Sequence, residues 1–226
     1  MAVDPHAAIE ITAFNWVPDF AKGVVRDLRV RWALEEAGLS YRVRLLDATS
    51  PRPDAYFHEQ PFGQVPVFVE RDLHLFETGA ILLHLGERSE GLMPSDPIAK
   101  ARATCWVVAA LNSIEPMIFE LINIDIFSAG ADWGKQRRPD AERAVLDRLG
   151  RVSDWLGDKE HLEGGFTVAD LLMTTVLRGL RHTDLIGRFP NLAAYQARCE
   201  ARPAFGRALD AQLADFSDHP PHAGAE

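Results

Sequence analysis

Cysteine is scarce in this chain: Cys105 and Cys199 are its two cysteines in 226 residues. Two isolated cysteines exclude a disulfide framework and a thiolate zinc site. Their apolar neighbours on predicted helices are typical of buried structural thiols. Histidine occurs eight times, but no two histidines stand at metal-ligand spacing on one helix face. The sequence therefore predicts a reduced, cytoplasmic protein with no bound metal.

Extended basic blocks, long apolar runs and nucleotide-binding motifs are also lacking. The net charge of -9 argues against a nucleic-acid surface. Apolar runs are broken within about ten residues, whereas a membrane span needs about 20. Residues 1–10 have neither the basic start nor the apolar middle of a secretion signal. No P-loop and no dinucleotide glycine pattern occurs. We expect no nucleic-acid partner and no membrane partner.

The chain does have an ordinary globular composition, with 47% hydrophobic and 25% charged residues. Its length allows one large domain or two small ones. Period-two alternation predicts strands at 9–14 and 41–46, and helical spacing predicts a helix at 24–37 that Gly38 ends. A strand, a helix and a strand in this order imply a right-handed parallel crossover.

The rest of the chain divides at a linker, which proline and polar residues predict at 89–97. The elements before the linker are a short helix, a hairpin and a third helix: 54–59, 65–70 with 73–76, and 77–88. They complete a mixed four-stranded sheet. The segments beyond the linker are all helical in pattern: 98–127, which Pro116 can kink, 139–156, 168–180, 192–202 and a final helix from Pro203. The predicted domains are 9–88 and 98–216, with disordered tails at 1–8 and 217–226.

Two neighbouring motifs predict a ligand site. Residues 60–66 form a turn with two prolines and a glycine, so the Val65-Pro66 step can set an extended backbone edge beside a ligand. A later strand stops at Glu77-Thr78, which supplies polar groups at a helix N-terminus. These features are typical of a site that holds a small peptide by its main chain and its charged ends. The structural alternatives are a strand entry at Pro66 and a plain N-cap at Glu77-Thr78.

The whole arrangement resembles the cytosolic glutathione transferases over residues 9–216. The segments that carry the resemblance, all in register, are 30–41 (VRWALEEAGLSY), 63–66 (GQVP), 77–81 (ETGAI), 166–170 (FTVAD), 189–195 (FPNLAAY) and 201–205 (ARPAF). It implies a bacterial member of unassigned class, with an α/β thioredoxin-like N-terminal domain and an all-α C-terminal domain. It also implies a homodimer with the helices at 77–88 and 98–127 in the interface.

The resemblance assigns glutathione, as co-substrate, to these motifs. Val65-Pro66 matches a cis proline and the preceding residue that pairs its backbone with the cysteinyl part of glutathione. Glu77-Thr78 matches the residues that bind the γ-glutamyl end. Gln64 and Arg52 stand where the family meets the glycine carboxylate, although Arg52 is equally well a solvated loop arginine.

The nucleophile in this chemistry is the glutathione thiolate. Lowering a thiol pKa from about 8.5 by about two units takes about 2.7 kcal/mol. Relatives use a Ser, Cys or Tyr near the start of the first helix, but those positions fall on Val24 and Phe20 here, which cannot donate. Arg26, Asn15 and the first-turn amides remain. A charge-assisted hydrogen bond from Arg26 supplies about 1.5–3 kcal/mol, and the helix terminus adds about 0.3–1 kcal/mol.

Both catalytic candidates have structural alternatives. Asn15 can simply satisfy the junction between strand and loop. Arg26 can instead form an ion pair with an acid: Asp19, Asp27 or one of a partner subunit.

The second substrate is expected to meet aromatic and apolar walls, which suit a poorly soluble electrophile. The candidates lie beside the first strand and at helical spacing on the long helix: Phe14, Trp16, Asn112, Glu115, Phe119 and Asn123. Core packing is the alternative for each of them. Thr167 to Asp170 fits a structural capping box ahead of an apolar helix.

The sequence thus predicts a detoxifying glutathione S-transferase that conjugates glutathione to a hydrophobic electrophile. Two other functions remain open: a glutathione-dependent peroxidase or reductase that uses the same bound thiol, and a non-catalytic glutathione-binding protein. The absence of a cysteine at position 24 argues against a deglutathionylating enzyme, and the absence of a hydroxyl there favours the non-catalytic protein. The fold alone does not choose among them.

Overall fold

Alternating apolar residues form the first two strands at the predicted bounds, β1 at Ile9–Phe14 and β2 at Tyr41–Leu46, and the two pair in parallel. The structure, a computed structural model, describes residues 2–221. Strands β3 (Phe68–Glu70) and β4 (Leu73–Leu75) complete a sheet in the order β2-β1-β3-β4. This hairpin starts later than predicted because Pro66 has no N–H to give to a ladder. The thioredoxin-like class of this half of the chain is confirmed.

Helix α1 spans Asp27–Ala37, and Gly38 ends it in the left-handed conformation, with φ 65°. The predicted start at residue 24 is wrong: residues 24–26 form a turn that follows Gly23, at φ 77°, and the helix begins after it. Helix α2 spans Thr78–Gly86, and the predicted short helix is a 3-10 turn at Asp54–His58.

The last helix, α8 (Pro203–Ala214), belongs to the same unit as the sheet. The chain forms two compact units, Met1–Leu92 with Arg202–Glu226, and Met93–Ala201, so the predicted helical domain at 98–216 is too long. Trp32 of α1 meets Phe205 edge-on, with ring centroids 4.8 Å apart. Apolar contact of this kind draws α8 onto α1.

Charged pairs also join α8 to α1. Glu36 accepts two hydrogen bonds from Arg202, at 2.6 and 2.8 Å, and Glu35 accepts one from Arg207 at 2.7 Å. The bidentate geometry at Arg202 fixes the start of α8 against the end of α1.

Neither terminus is disordered over its whole predicted length. The Tyr41 amide donates to the Ala2 carbonyl and the Asp4 amide donates to the Tyr41 carbonyl, both at 2.8 Å, so residues 2–4 extend the sheet beside β2. Prediction of a tail at 1–8 was wrong because these bonds depend on a distant strand, not on local composition. At the other end Ser217 bonds to Asn15, and residues 222–226 lie outside the described residues.

The second unit contains the helices α3 (Pro97–Ala109), α4 (Glu115–Ile122), α5 (Asp132–Leu156), α6 (Val168–Leu177) and α7 (Pro190–Glu200). Wider π-helical turns at Ala110–Ile114 and Asn123–Phe127 flank α4. Pro116 lies in the first turn of α4, where the preceding π turn accommodates its missing N–H. Pro139 was predicted to open a helix, but it lies inside α5.

The stretch Pro97–Phe127 is long and apolar enough to cross a membrane by length and composition, and 28% of its most apolar window is buried within the chain. This stretch contains no uninterrupted apolar run that would mark it in the sequence, because polar residues are spread along it. Length and composition alone do not separate a membrane span from a helix covered by protein.

A capping box begins α6, as predicted. Thr167 Oγ1 accepts from the Ala169 amide, and the buried Asp170 carboxylate accepts from the Thr167 and Leu162 amides, each at 2.9 Å. The Tyr195 hydroxyl donates to the same carboxylate at 3.1 Å. Burial raises the pKa of Asp170, and these donors oppose the rise.

Candidate functional site

The Val65-Pro66 peptide bond is cis, as the resemblance implied. Val65 is 6% exposed and belongs to no strand. Among residues 2–221 no group forms a hydrogen bond with its amide or its carbonyl. A backbone segment in this state offers one donor and one acceptor to an extended ligand.

A chain of hydrogen bonds holds both sides of this turn. The Val67 amide donates to Thr12 Oγ1 at 2.7 Å, Thr12 Oγ1 lies 2.9 Å from the Tyr56 hydroxyl, and that hydroxyl donates to the Gln64 carbonyl at 2.7 Å. Burial raises the pKa of Tyr56, although its bond to Thr12 opposes the rise. These hydrogen bonds anchor Gln64 and Val67 on either side of Val65, whose own backbone groups stay unpaired.

The N-terminus of α2 is open. Glu77 stands at the N-cap with φ 68° and ψ 114°, and its side chain caps no amide within the described chain. The first N–H groups of a helix have no partner inside the helix. They carry a partial positive charge, so the mouth of α2 suits a carboxylate.

Thr78 is prepared by a residue that the sequence analysis missed. Arg29 of α1 is 4% exposed and donates from Nη1 to Thr78 Oγ1 at 3.1 Å. Because Oγ1 already accepts this bond, the hydroxyl hydrogen of Thr78 is left to donate elsewhere. The available signal was a charged residue among the apolar positions of α1, which predicts a buried partner but does not name it.

Strand register brings these features to one end of the sheet. β1 pairs antiparallel with β3 through Ile11 and Phe68, and β3 pairs antiparallel with β4 through Phe68 and Leu75. The residues just before Phe68, just after Leu75 and at the end of β1 therefore leave the sheet on the same side. Val65, the mouth of α2 and Asn15 share that edge.

Arg52 supports the turn rather than standing free. Its Nε donates to the Gly63 carbonyl at 3.2 Å, its Nη1 donates to the Asp47 carbonyl at 2.6 Å, and its guanidinium lies 4.9 Å from the centre of the Phe14 ring. Gln64 is exposed. Their predicted roles at a glycine carboxylate stay predictions.

Asn15 follows β1 directly and is half-buried. Its Oδ1 is fully buried, and no group among residues 2–221 donates to it. A buried acceptor without a donor costs about 1–3 kcal/mol, and the Nδ2 group of the same carboxamide carries two hydrogens that can donate to an acceptor.

The position predicted for a catalytic hydroxyl is half-buried Val24, and Phe20 is 43% exposed. Arg26 is the N-cap of α1 and half-buried. The two acids named as its alternative partners have others: Lys22 lies 2.7 Å from Asp19, and Arg31 lies 2.7 Å from Asp27.

The predicted second-substrate residues are divided between the two units. Phe14 and Trp16 are half-buried in the first unit. The residues in the second unit are Asn112 and Phe119, which are exposed, and Glu115 and Asn123, which are half-buried. Across residues 2–221, no group of three or more His, Cys, Asp or Glu side chains could hold a metal ion.

Residues 12–87 match the model of the glutathione S-transferase N-terminal domain. Glutathione S-transferase F14 of Arabidopsis thaliana is 29% identical over 193 residues, which cover 77% of this chain and 75% of that protein. A glutathione transferase from Burkholderia graminis, crystallised with two glutathione molecules per subunit, is 25% identical with a TM-score of 0.78, over 89% of this chain and 87% of that chain. The chain is thus similar to cytosolic glutathione S-transferases over most of its length, and residues 12–87 match their N-terminal domain.

The chain is also similar to an oxidoreductase. The disulfide-bond oxidoreductase YfcG of Escherichia coli K12 is 25% identical over 198 residues, which cover 80% of this chain and 89% of that protein. Every residue of the candidate glutathione site lies inside the matched N-terminal domain. The bacterial source and the glutathione S-transferase class stay predictions.

Proposed function

We propose that the protein is a glutathione S-transferase that binds glutathione in its first unit and joins the thiolate to a hydrophobic electrophile. The observation that carries the proposal is the unpaired Val65 backbone beside the open N-terminus of α2. A tripeptide with an extended cysteinyl residue and an anionic head matches both features.

In this proposal Val65 gives its amide and carbonyl to the cysteinyl main chain of glutathione. The γ-glutamyl carboxylate meets the first amides of α2 and the hydroxyl hydrogen of Thr78. The Glu77 carboxylate accepts from the γ-glutamyl ammonium. Gln64 and the Nη2 group of Arg52 meet the glycine carboxylate.

The thiol loses its proton to solvent before the reaction, and Asn15 and Arg26 stabilise the thiolate by donating hydrogen bonds. The sulfur lone pair then forms a carbon–sulfur bond, and the leaving group departs with its bonding pair. The electrophile is expected to rest against Phe14 and Trp16 of the first unit, and the roles of Asn112, Glu115, Phe119 and Asn123 stay predictions.

Calorimetry with reduced glutathione tests the binding step. Thr78→Val removes the hydroxyl and is expected to weaken binding about tenfold, the equivalent of one hydrogen bond of about 1.4 kcal/mol. Thr78→Ser keeps the hydroxyl and should bind as the parent does. Undetectable binding by the folded parent, or equal affinity of the two variants, would refute the site.

Turnover of a chloronitrobenzene substrate tests the chemistry. Conjugation by the parent supports the transferase. Tight binding of glutathione with no turnover of any electrophile would instead support the non-catalytic binding protein.

The similarity to a disulfide-bond oxidoreductase, and to a transferase crystallised with two glutathione molecules per subunit, favours one second function. A glutathione-dependent reductase would use two glutathione molecules to reduce one disulfide to two thiols, releasing one glutathione disulfide. The protein needs no thiol of its own for this balance. Faster turnover of a small disulfide or an organic hydroperoxide than of any electrophile would favour this function.

We extend the proposal to a homodimer in the cytoplasm. Several large apolar side chains of the stretch from α3 to the second π turn are more than half exposed: Ile98, Val108 and Phe127. A second copy covering them would remove apolar surface from water. Sedimentation at micromolar concentration checks the oligomeric state.

A further inference from the structure

The segment that follows α8 returns to the loop that carries Asn15. The Ser217 amide donates to the Asn15 carbonyl at 2.8 Å, and the Asn15 amide donates to the Leu46 carbonyl at 3.0 Å. Ser217 Oγ lies 2.8 Å from the His219 carbonyl and 3.3 Å from the Asn15 carbonyl, and its single hydrogen goes to the nearer acceptor, His219, so the amide makes the stronger bond to Asn15. The backbone of Asn15 is therefore held on one side by the end of β2 and on the other by residue 217.

An ion pair with the buried Arg31 holds the start of the segment that follows α8. Asp215 follows α8, and its Oδ2 lies 2.5 Å from Nη2 of Arg31, whose side chain is 1% exposed. Asp27 accepts from Arg31 at 2.7 Å and from Gln212 of α8 at 2.7 Å. The Asp215 side chain is 25% exposed but Arg31 is buried, so losing this partner would leave a buried charge less well paired, and the bond holds the exit from α8 in place. Ser217 is two residues beyond Asp215, so its position is restrained as well.

We infer that Ser217 is a positioning residue: its amide holds Asn15 so that the Asn15 carboxamide meets the glutathione sulfur. This inference rests on the proposed function. The carboxamide already has a buried oxygen without a donor, so its orientation is set by the backbone at residue 15 and not by side-chain partners. An error of about 1 Å in such a group costs about a hundredfold in rate.

The test compares two full-length variants. Ser217→Pro removes the amide hydrogen, whereas Ser217→Ala keeps it and removes the hydroxyl. Hydrogen–deuterium exchange of the peptide covering residues 15–23 should be faster than in the parent for the proline variant alone. The pKa of bound glutathione, followed by thiolate absorbance, should rise in the same variant. We expect its kcat to fall about tenfold while KM for glutathione changes less than about twofold.

A second pair of variants guards against a folding defect in the proline variant. A chain ending at Phe216 lacks the Ser217 amide, and a chain ending at Pro221 keeps it. The shorter chain should repeat the exchange and thiol-pKa effects, and the longer one should match the parent. Thermal unfolding of each variant separates loss of structure from loss of position.

Equal exchange of residues 15–23 in the proline and alanine variants would overturn the inference. Faster exchange with an unchanged thiol pKa would also overturn it, because the contact would then be structural only. A parent that neither binds nor ionises glutathione would refute the proposed function and with it the catalytic role of Ser217, while the exchange comparison would still show whether Ser217 holds Asn15.

Discussion

At the scale of single residues, the candidate site depends on which hydrogen-bonding atoms are already paired and which are left for a ligand. Arg29 accounts for one acceptor position of Thr78 Oγ1 and thereby leaves its hydroxyl hydrogen for a ligand. Asn15 has the opposite state, a buried oxygen with no donor among the described residues. Glu77 differs from both: it is a non-glycine residue at φ 68°, a backbone conformation in which its surroundings must hold it.

Glu77→Gly should raise stability and weaken glutathione binding at once. Relief of backbone strain of about 1–3 kcal/mol exceeds the entropy cost of glycine, about 0.5–1 kcal/mol, so we expect a net gain of about 1 kcal/mol. Loss of the carboxylate should weaken glutathione binding about tenfold. Urea unfolding and calorimetry measure the two effects.

Glu77→Ala is the matched control, because it loses the carboxylate and keeps the strain. It should bind glutathione as weakly as the glycine variant without the gain in stability. Equal unfolding free energies for the two variants would show that the backbone at residue 77 is not strained.

Tyr41→Phe should flatten the alkaline loss of stability. Tyr41 is fully buried, and burial raises its pKa to about 12. Between pH about 10 and about 12 the unfolded chain releases this proton and the folded chain keeps it, so stability falls as pH rises through that window and is unaffected below it. A two-unit shift corresponds to at most about 2.7 kcal/mol. Urea unfolding at a series of pH values measures it, and parallel curves for parent and variant would contradict it.

At the scale of elements, turns and helix ends carry the function, while strands set their position. The hydrogen-bond chain through Thr12 and Tyr56 anchors residues 64 and 67 and leaves Val65 unpaired. The capping box of α6 shows the other use of a helix end, since the Thr167 and Ala169 amides are bonded to side chains of the box itself. The open N-terminus of α2 is therefore a candidate ligand site, whereas the capped N-terminus of α6 is structural.

Asp170→Ala should unfold the second unit rather than change the glutathione site. It leaves the Leu162 and Thr167 amides and the Tyr195 hydroxyl without a buried acceptor, which costs about 3 kcal/mol or more. Asp158→Ala, at an exposed acid of the same unit, should change the unfolding free energy by less than about 0.5 kcal/mol. Urea unfolding measures both, and glutathione affinity per folded molecule should stay unchanged. A similar cost at both positions would contradict the assignment.

At the scale of the whole molecule, the unit that holds the candidate site is not continuous in sequence. Helix α8 returns to α1 after the second unit and brings Phe205, Arg202, Arg207 and Asp215 to residues of α1. The matched N-terminal domain ends at residue 87, so it lacks this helix. Without α8, the buried Arg31 and Trp32 would be exposed on one side.

A fragment of residues 1–92 is therefore expected not to fold. Circular dichroism should show little helix, and its amide resonances should be poorly dispersed, because small domains with an uncovered core are marginal. Adding a peptide of residues 202–221 should restore structure. A well-dispersed spectrum of the fragment alone would contradict this account of α8.

The sequence by itself determined the elements whose signals are local. The bounds of β1 and β2, the end of α1 at Gly38 and the capping box of α6 follow from periodicity and capping, which depend on residues only a few positions apart. The ligand motifs at residues 65 and 77 were visible for the same reason.

Only the tertiary structure decided which distant groups meet. Arg29 and Thr78 are 49 residues apart, and Ser217 and Asn15 are 202 apart. The return of α8 and the attachment of residues 2–4 beside β2 belong to the same class. Such contacts are selected by burial of apolar surface and by the cost of unpaired polar groups across the whole fold. No local pattern identifies these pairs, because the two partners lie far apart in the sequence.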